Sequence, residues 1–186
     1  MVGERLKKAV FLDRDGVLNS VLLKAGKPHP PESLDSLSIL PGVEEAIGIF
    51  KDLQLVIVVV TNQPDVIRGY TSKEKVDSIH EYLGNFLGIE HFYTCLHDDV
   101  DDCFCRKPLP GMILEAARLI GIDLERSFMI GDRWRDIEAG QSAGCSCYFI
   151  DYSYSEKMPK SPFVSVGSLL EAARHIERHN NVSESE

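Results

Sequence analysis

The chain has 186 residues, 44% of them apolar and 26% charged, a balance that suits one globular domain and excludes a disordered or membrane-embedded chain. Its formal net charge of −9 sets an unfavourable field against polyanions and excludes nucleic acid as the expected partner. No apolar run reaches membrane-spanning length, and residues 1–8 hold no apolar stretch of signal-peptide type. The expectation is a cytoplasmic monomer that binds no membrane, with one domain over residues 1–179 and a disordered tail over 180–186.

Ala9 to Asp13 is a short apolar run that ends in charge, which predicts a buried strand. Asn19 to Pro41 carries Pro28, Pro30, Pro31 and Pro41 without a sustained period and predicts a long irregular excursion. Val43, Ala46, Ile47, Phe50 and Leu53 have helical spacing, and Leu55 to Thr61 is the clearest buried strand. The capping-box pattern Thr71 to Glu74 opens a helix that runs to about Leu87, and Phe92 to Leu96 is a third strand. A helix between Pro110-Gly111 and Gly121, a strand over Phe128 to Ile130, a helix over Trp134 to Ala143 stopped by Gly144, and a strand over Cys147 to Ile150 follow. A last amphipathic helix is expected beyond Val166.

This alternation predicts an α/β fold with a mainly parallel sheet and helices on both faces. Ligands in such folds sit at the carboxyl ends of the strands. Three strand ends carry Asp13-Arg14-Asp15, Thr61-Asn62-Gln63 and Gly131-Asp132, so the topology itself gathers these residues. Two carboxylates in the Asp13 to Gly16 turn suit Mg²⁺, a hard cation that takes oxygen ligands. Asp136 stands four residues after Asp132, where a helix would bring both to one face. Arg14 and Arg133 read as solvated turn residues, with Arg133 a candidate for touching substrate.

In this order and on these elements, Phe11 to Gly16, Val59 to Gln63, Lys107-Pro108, and Ile130 to Asp132 with Asp136 resemble the four motifs of the haloacid dehalogenase (HAD) superfamily, from Ala9 to about Ile150. The resemblance implies a HAD-like Rossmannoid three-layer sandwich and an aspartyl-phosphate intermediate. Asp13 would be the nucleophile and Asp15 the acid and base, with Thr61 and Lys107 supporting the phosphoryl oxygens. The Asp13 carboxylate, the Asp15 carbonyl and Asp132 would hold Mg²⁺, with Asp136 orienting that shell. Neither the stretch between Gly16 and Val43 nor that between Gln63 and Cys95 has room for a separate cap domain, so an open site is expected.

Three of five cysteines crowd with His97 into one short stretch. Cys95-x-His97 and Cys103-x-Cys105 leave five residues between the pairs, enough for a loop around one structural Zn²⁺. Cys145 and Cys147 read as core residues. The run Cys103 to Met112 looks like the bacterial heptose bisphosphate phosphatase branch of the superfamily, which implies a small phosphorylated sugar as substrate and a place in surface-polysaccharide (lipopolysaccharide) precursor synthesis. Asn62, Arg106 and Arg133 would then contact the substrate. Histidinol phosphate is the alternative substrate, and a non-catalytic zinc-stabilised binding module on the same fold is the alternative of another class.

Overall fold

The computed structural model describes residues 6–24 and 27–183. Ala9–Leu12 (β1) is apolar at every position and buried on both faces, as a central parallel strand must be. After it come a short antiparallel hairpin of Leu22–Lys24 (β2) and Lys27–His29 (β3), the helix Val43–Asp52 (α1), and the strand Val56–Asn62 (β4). The helix Lys73–Leu87 (α2) is N-capped by Ser72, one residue later than the sequence pattern suggests, and ends at Gly88 in the left-handed region. His91–Cys95 (β5), Gly111–Ile120 (α3), Phe128–Gly131 (β6), Trp134–Ala143 (α4), Ser146–Ile150 (β7), Val164–Val166 (β8) and Leu169–Ser183 (α5) complete the order.

Six strands form one parallel sheet in the order β5-β4-β1-β6-β7-β8. α1, α2 and α5 bury Phe50, Leu83 and Ile176 against one face, and α3 and α4 bury Met112, Ile113 and Ile137 against the other. This is the expected α/β sandwich with helices on both faces. The chain builds outward from β1 first to β4 and β5, then on the other side to β6, β7 and β8. The strand order therefore reverses at β1, and the crevice at its carboxyl end is where such sheets bind ligands.

Two expectations are corrected. The Pro-rich excursion is not irregular throughout, because β2 and β3 pair at its tip and a single turn of 3₁₀-helix spans Leu34–Ser36. The expected tail is helical through Ser183, with residues 184–186 outside the described ones, as are residues 1–5 of the amino-terminal stretch. Among the described residues no helix is long and apolar enough to cross a membrane.

Candidate active site

β1 delivers Asp13 into the crevice, where its backbone N–H still bonds the Ile130 carbonyl of β6 at 3.0 Å. The chain then turns sharply at Gly16, whose φ of +86° favours glycine. A Cβ there would also overlap the Asp132 carboxylate, so glycine is what lets these two strand ends meet. Asp13 Oδ1 accepts from Lys107 Nζ at 2.9 Å and from the Arg14 N–H at 2.8 Å. Burial pushes the Asp13 carboxyl up to about 6, with Asp136 and Asp15 adding to the rise and Lys107 opposing it.

Lys107 is buried, and its ammonium donates to three acceptors: Asp13 Oδ1, Asp136 Oδ1 at 2.6 Å and the Val60 carbonyl at 2.7 Å. Burial alone would lower its proton affinity, but the two carboxylates outweigh that and hold it charged. Asn62 clamps the same residue from behind, its Nδ2 donating to the Lys107 carbonyl at 3.0 Å and its Oδ1 accepting the Lys107 N–H at 3.1 Å. Asn62 thus sets the backbone of Lys107, a different use from the substrate contact expected of it, although it also borders the cavity.

Asp15 is not part of the close group that Asp13, Asp132 and Asp136 form. Arg14 grips it through Nη2 at 2.9 Å and Nε at 3.1 Å, while Asn19 Nδ2 and Gln63 Nε2 donate at 2.9 and 2.7 Å. Burial works against its charge, but Arg14 and these amides outweigh it and lower the pKa. Arg14 is 1% exposed, so the solvated-turn reading of that residue is corrected. Gln63 also donates to Thr61 Oγ1 at 2.9 Å, which leaves the Thr61 hydroxyl proton for another acceptor.

Asp132 and Asp136 do not share a helical face, because α4 begins only at Trp134. Asp136 is instead the third residue of that helix, and its Oδ2 caps the Arg133 N–H at 2.9 Å. This cap brings its buried carboxylate back over the strand end to Lys107. Asp132 is 1% exposed, and neither of its oxygens has a partner in ordinary hydrogen-bond geometry among the described residues, although the Tyr154 hydroxyl is near enough to act on its charge. Burial, with Asp13 and Asp136 nearby, raises its pKa well above the ordinary range, while the Tyr154 hydroxyl and Arg133 oppose the rise. Oxygens of Asp13, Asp132 and Asp136 lie within 4.8 Å of one another. A bare buried carboxylate beside two others is the donor set of a hard cation, and Mg²⁺ fits it. Asp136 has both oxygens engaged, Oδ1 by Lys107 and Oδ2 by the Arg133 amide, whereas Asp13 takes Lys107 and the Arg14 amide on Oδ1 alone, so Asp13 Oδ2 and Asp132 have capacity to spare.

The second cluster lies at the end of β5. Cys95 Sγ stands 3.7 Å from His97 Nδ1 and 3.7 Å from Cys103 Sγ, and Cys105 Sγ stands 3.3 Å from Cys95 Sγ, 3.4 Å from Cys103 Sγ and 3.3 Å from His97 Nδ1. Four ligands placed tetrahedrally at ~2.3 Å from zinc would be about 3.8 Å apart, so these edges match a closed Cys₃His site. Burial raises the Cys95 pKa, so its thiolate calls for a cation alongside. Cys145 and Cys147 are core residues, as expected.

A cavity of about 380 Å³ opens above Asp13, walled by the zinc loop and by Pro28 and His29 of the hairpin. Arg106 borders it, braced by Asp99 at 2.8 Å and by the His97 carbonyl at 3.0 Å. Arg133 borders it too and is ion-paired with Glu156, a partner on the loop after β7 that no sequence pattern signals.

Residues 29–144 match the haloacid dehalogenase-like hydrolase family. The chain is 36% identical over 149 residues to the D-glycero-beta-D-manno-heptose-1,7-bisphosphate 7-phosphatase of Pasteurella multocida, covering 74% of this chain and 78% of that one. It is 30% identical over 184 residues to the D-glycero-alpha-D-manno-heptose-1,7-bisphosphate 7-phosphatase of Photorhabdus laumondii, covering 91% and 97%. The crystal structure of the D,D-heptose 1,7-bisphosphate phosphatase from B. bronchiseptica, complexed with magnesium and phosphate, superposes with a TM-score of 0.82 at 28% identity, covering 92% of this chain and 99% of that one. With its four motifs gathered at one crevice, the chain belongs to the haloacid dehalogenase-like hydrolase family.

Proposed function

We propose that the protein is a Mg²⁺-dependent phosphatase that removes the 7-phosphate of D-glycero-D-manno-heptose 1,7-bisphosphate, and that it works as a cytoplasmic monomer. The observation that carries the reading is Asp13, held by Lys107 beside the unpartnered Asp132 carboxylate, at the floor of a cavity bordered by arginines. A carboxylate oxygen of Asp13 attacks phosphorus, the ester P–O bond breaks, and the departing alkoxide takes a proton from Asp15. Asp15 is a carboxylate at rest, so it first takes up that proton from solvent or from the monoanionic form of the bound phosphate, whose charge raises the proton affinity of Asp15. Water then attacks phosphorus while Asp15, left ionised by the first step, takes a proton from that water, and the O–P bond to Asp13 breaks to release phosphate and the free Asp13 carboxylate. Thr61 donates to a phosphoryl oxygen, and Lys107, whose three donors are taken at rest by Asp13, Asp136 and the Val60 carbonyl, acts on those oxygens as a fixed positive charge. Asp13 and Asp132 would hold Mg²⁺, which would supply charge neutralisation for an anionic nucleophile meeting an anionic phosphate.

Phosphate release from a panel of heptose 1,7-bisphosphates, hexose bisphosphates and histidinol phosphate tests the assignment. The expected kcat/KM for a heptose 1,7-bisphosphate exceeds that for the others by at least about tenfold. Equal or faster hydrolysis of histidinol phosphate would move the protein to that activity, and no hydrolysis of any member would make it a binding module.

Purified protein is expected to carry one Zn²⁺ per chain. With four protein ligands the site keeps no open position, so its role is to fix a loop. Cys105 is covalently followed by Arg106 and Lys107, and Gly111 at the start of α3 packs so tightly under Phe104 that no Cβ fits between them. Cys105→Ser should lower the zinc content and reduce turnover by roughly tenfold or more through the placement of Lys107. Elemental analysis beside kinetics checks this, and full activity in a zinc-free variant would cut the link between the loop and catalysis.

A further inference from the structure

His80 on α2 lies far from every motif in sequence and is 9% exposed. Its Nε2 stands 3.1 Å from Arg14 Nη1. A guanidinium has only donors and does not lose its proton in proteins, so the imidazole must be the acceptor, with its own proton on Nδ1. Burial and the Arg14 charge push the His80 pKa down to about 4, in keeping with a neutral ring. The ring is also fixed in plane, stacked on Phe92 of β5 with centroids 4.9 Å apart at an angle of 22°.

Arg14 is therefore held on two sides. Nη1 is taken by His80, and the Nε and Nη2 edge is given to the Asp15 carboxylate. A buried guanidinium that lost its Nη1 acceptor would have to move to find another, and it would take its edge away from Asp15. Water cannot readily replace the imidazole, because Arg14 is almost wholly enclosed.

We infer that His80 is a positioning residue for catalysis: it anchors Arg14, which in turn holds the Asp15 carboxylate in the place from which it exchanges protons with the leaving group and with water. The inference rests on the assignment of Asp15 above, and its consequences fall on the chemical steps. The Lys107 ammonium bonds Asp13, Asp136 and the Val60 carbonyl and so is set apart from α2, and Thr61 meets the arrangement around Asp15 by way of the Gln63 amide.

Steady-state kinetics of the Mg²⁺-loaded enzyme on heptose 1,7-bisphosphate tests it with His80→Phe, which keeps a ring for Phe92 and removes the acceptor, and His80→Gln, which offers a carbonyl oxygen instead. Phe is expected to lower kcat by about tenfold with KM changed less than about twofold, and Gln to recover most of that loss. His80→Leu, smaller and equally without an acceptor, makes the same test if the larger ring destabilises the fold. In an Asp15→Asn background, His80→Phe should cost little more, since the group it positions is gone. The inference is overturned by a wild-type kcat in His80→Phe or His80→Leu, by Gln falling as low as Phe, or by the same fractional loss in the Asp15→Asn background. If Asp15→Asn alone keeps the wild-type rate, it is the assignment of Asp15 that fails.

Discussion

Asp13→Asn is expected to fold and to lose at least about a thousandfold in kcat, because an amide cannot form the acyl phosphate. The substitution keeps shape, and Lys107 retains the Asp136 carboxylate and the Val60 carbonyl. The stability effect has a definite sign. The Asp13 pKa in the fold, about 6, lies above the unfolded value, so its contribution is fully present below about pH 4 and is lost as pH rises through about 6. In metal-free protein at neutral pH the buried carboxylate is thus a cost, and Asn, which carries no charge, should melt no lower than wild type. Phosphate release, acid-quench trapping of the phosphoenzyme and a melting curve in EDTA check both halves. Substantial turnover in a preparation free of wild-type enzyme would remove Asp13 as nucleophile.

Lys107→Met is expected to lower kcat by roughly 10² to 10³ and to depress the melting temperature as well. The side chains of Lys107 and Asp136 are 3% and 2% exposed, so removing the cation strands a carboxylate that water cannot reach. Breaking a buried pair on one side costs on the order of 3–5 kcal/mol. Arginine should not rescue activity. Three acceptors surround one nitrogen, an arrangement that suits an ammonium, whereas a planar guanidinium presents its donors as a fork. Turnover of Lys107→Met within tenfold of wild type would show that the ammonium does not bear on the transferred group.

Much of this site was legible because strand ends in a parallel sheet converge, so the polar and charged residues Asp13, Thr61 and Asp132 that end apolar runs could be gathered without coordinates. The zinc cluster was legible for the complementary reason, since its ligands are close in sequence. What escaped depends on contacts that spacing does not encode. Arg14 looks like a surface residue until His80, sixty-six positions away, is found beneath it. Asp136 was placed by an assumed helical face, and the actual cause of its approach is capping geometry, which depends on where the helix starts. The hairpin was hidden by Pro28, which argues against a strand but is tolerated in a two-stranded ribbon with open edges. β8 spans only three residues, with little apolar pattern to detect.

The position of β1 has a consequence for how the chain reaches this structure. The strand that carries the nucleophile lies early in the sequence, yet its two neighbours are β4 and β6, and the second of these begins at Phe128. Long loops must close before those pairings repay their entropy, which is the signature of slow folding. A chain emerging from a ribosome as far as Gly121 would already hold Asp13, Thr61, Lys107 and all four zinc ligands, and would leave one side of β1 without the strand that covers it. That exposed edge is an invitation to pair with another chain. The catalytic centre is therefore among the last parts of the protein to become safe.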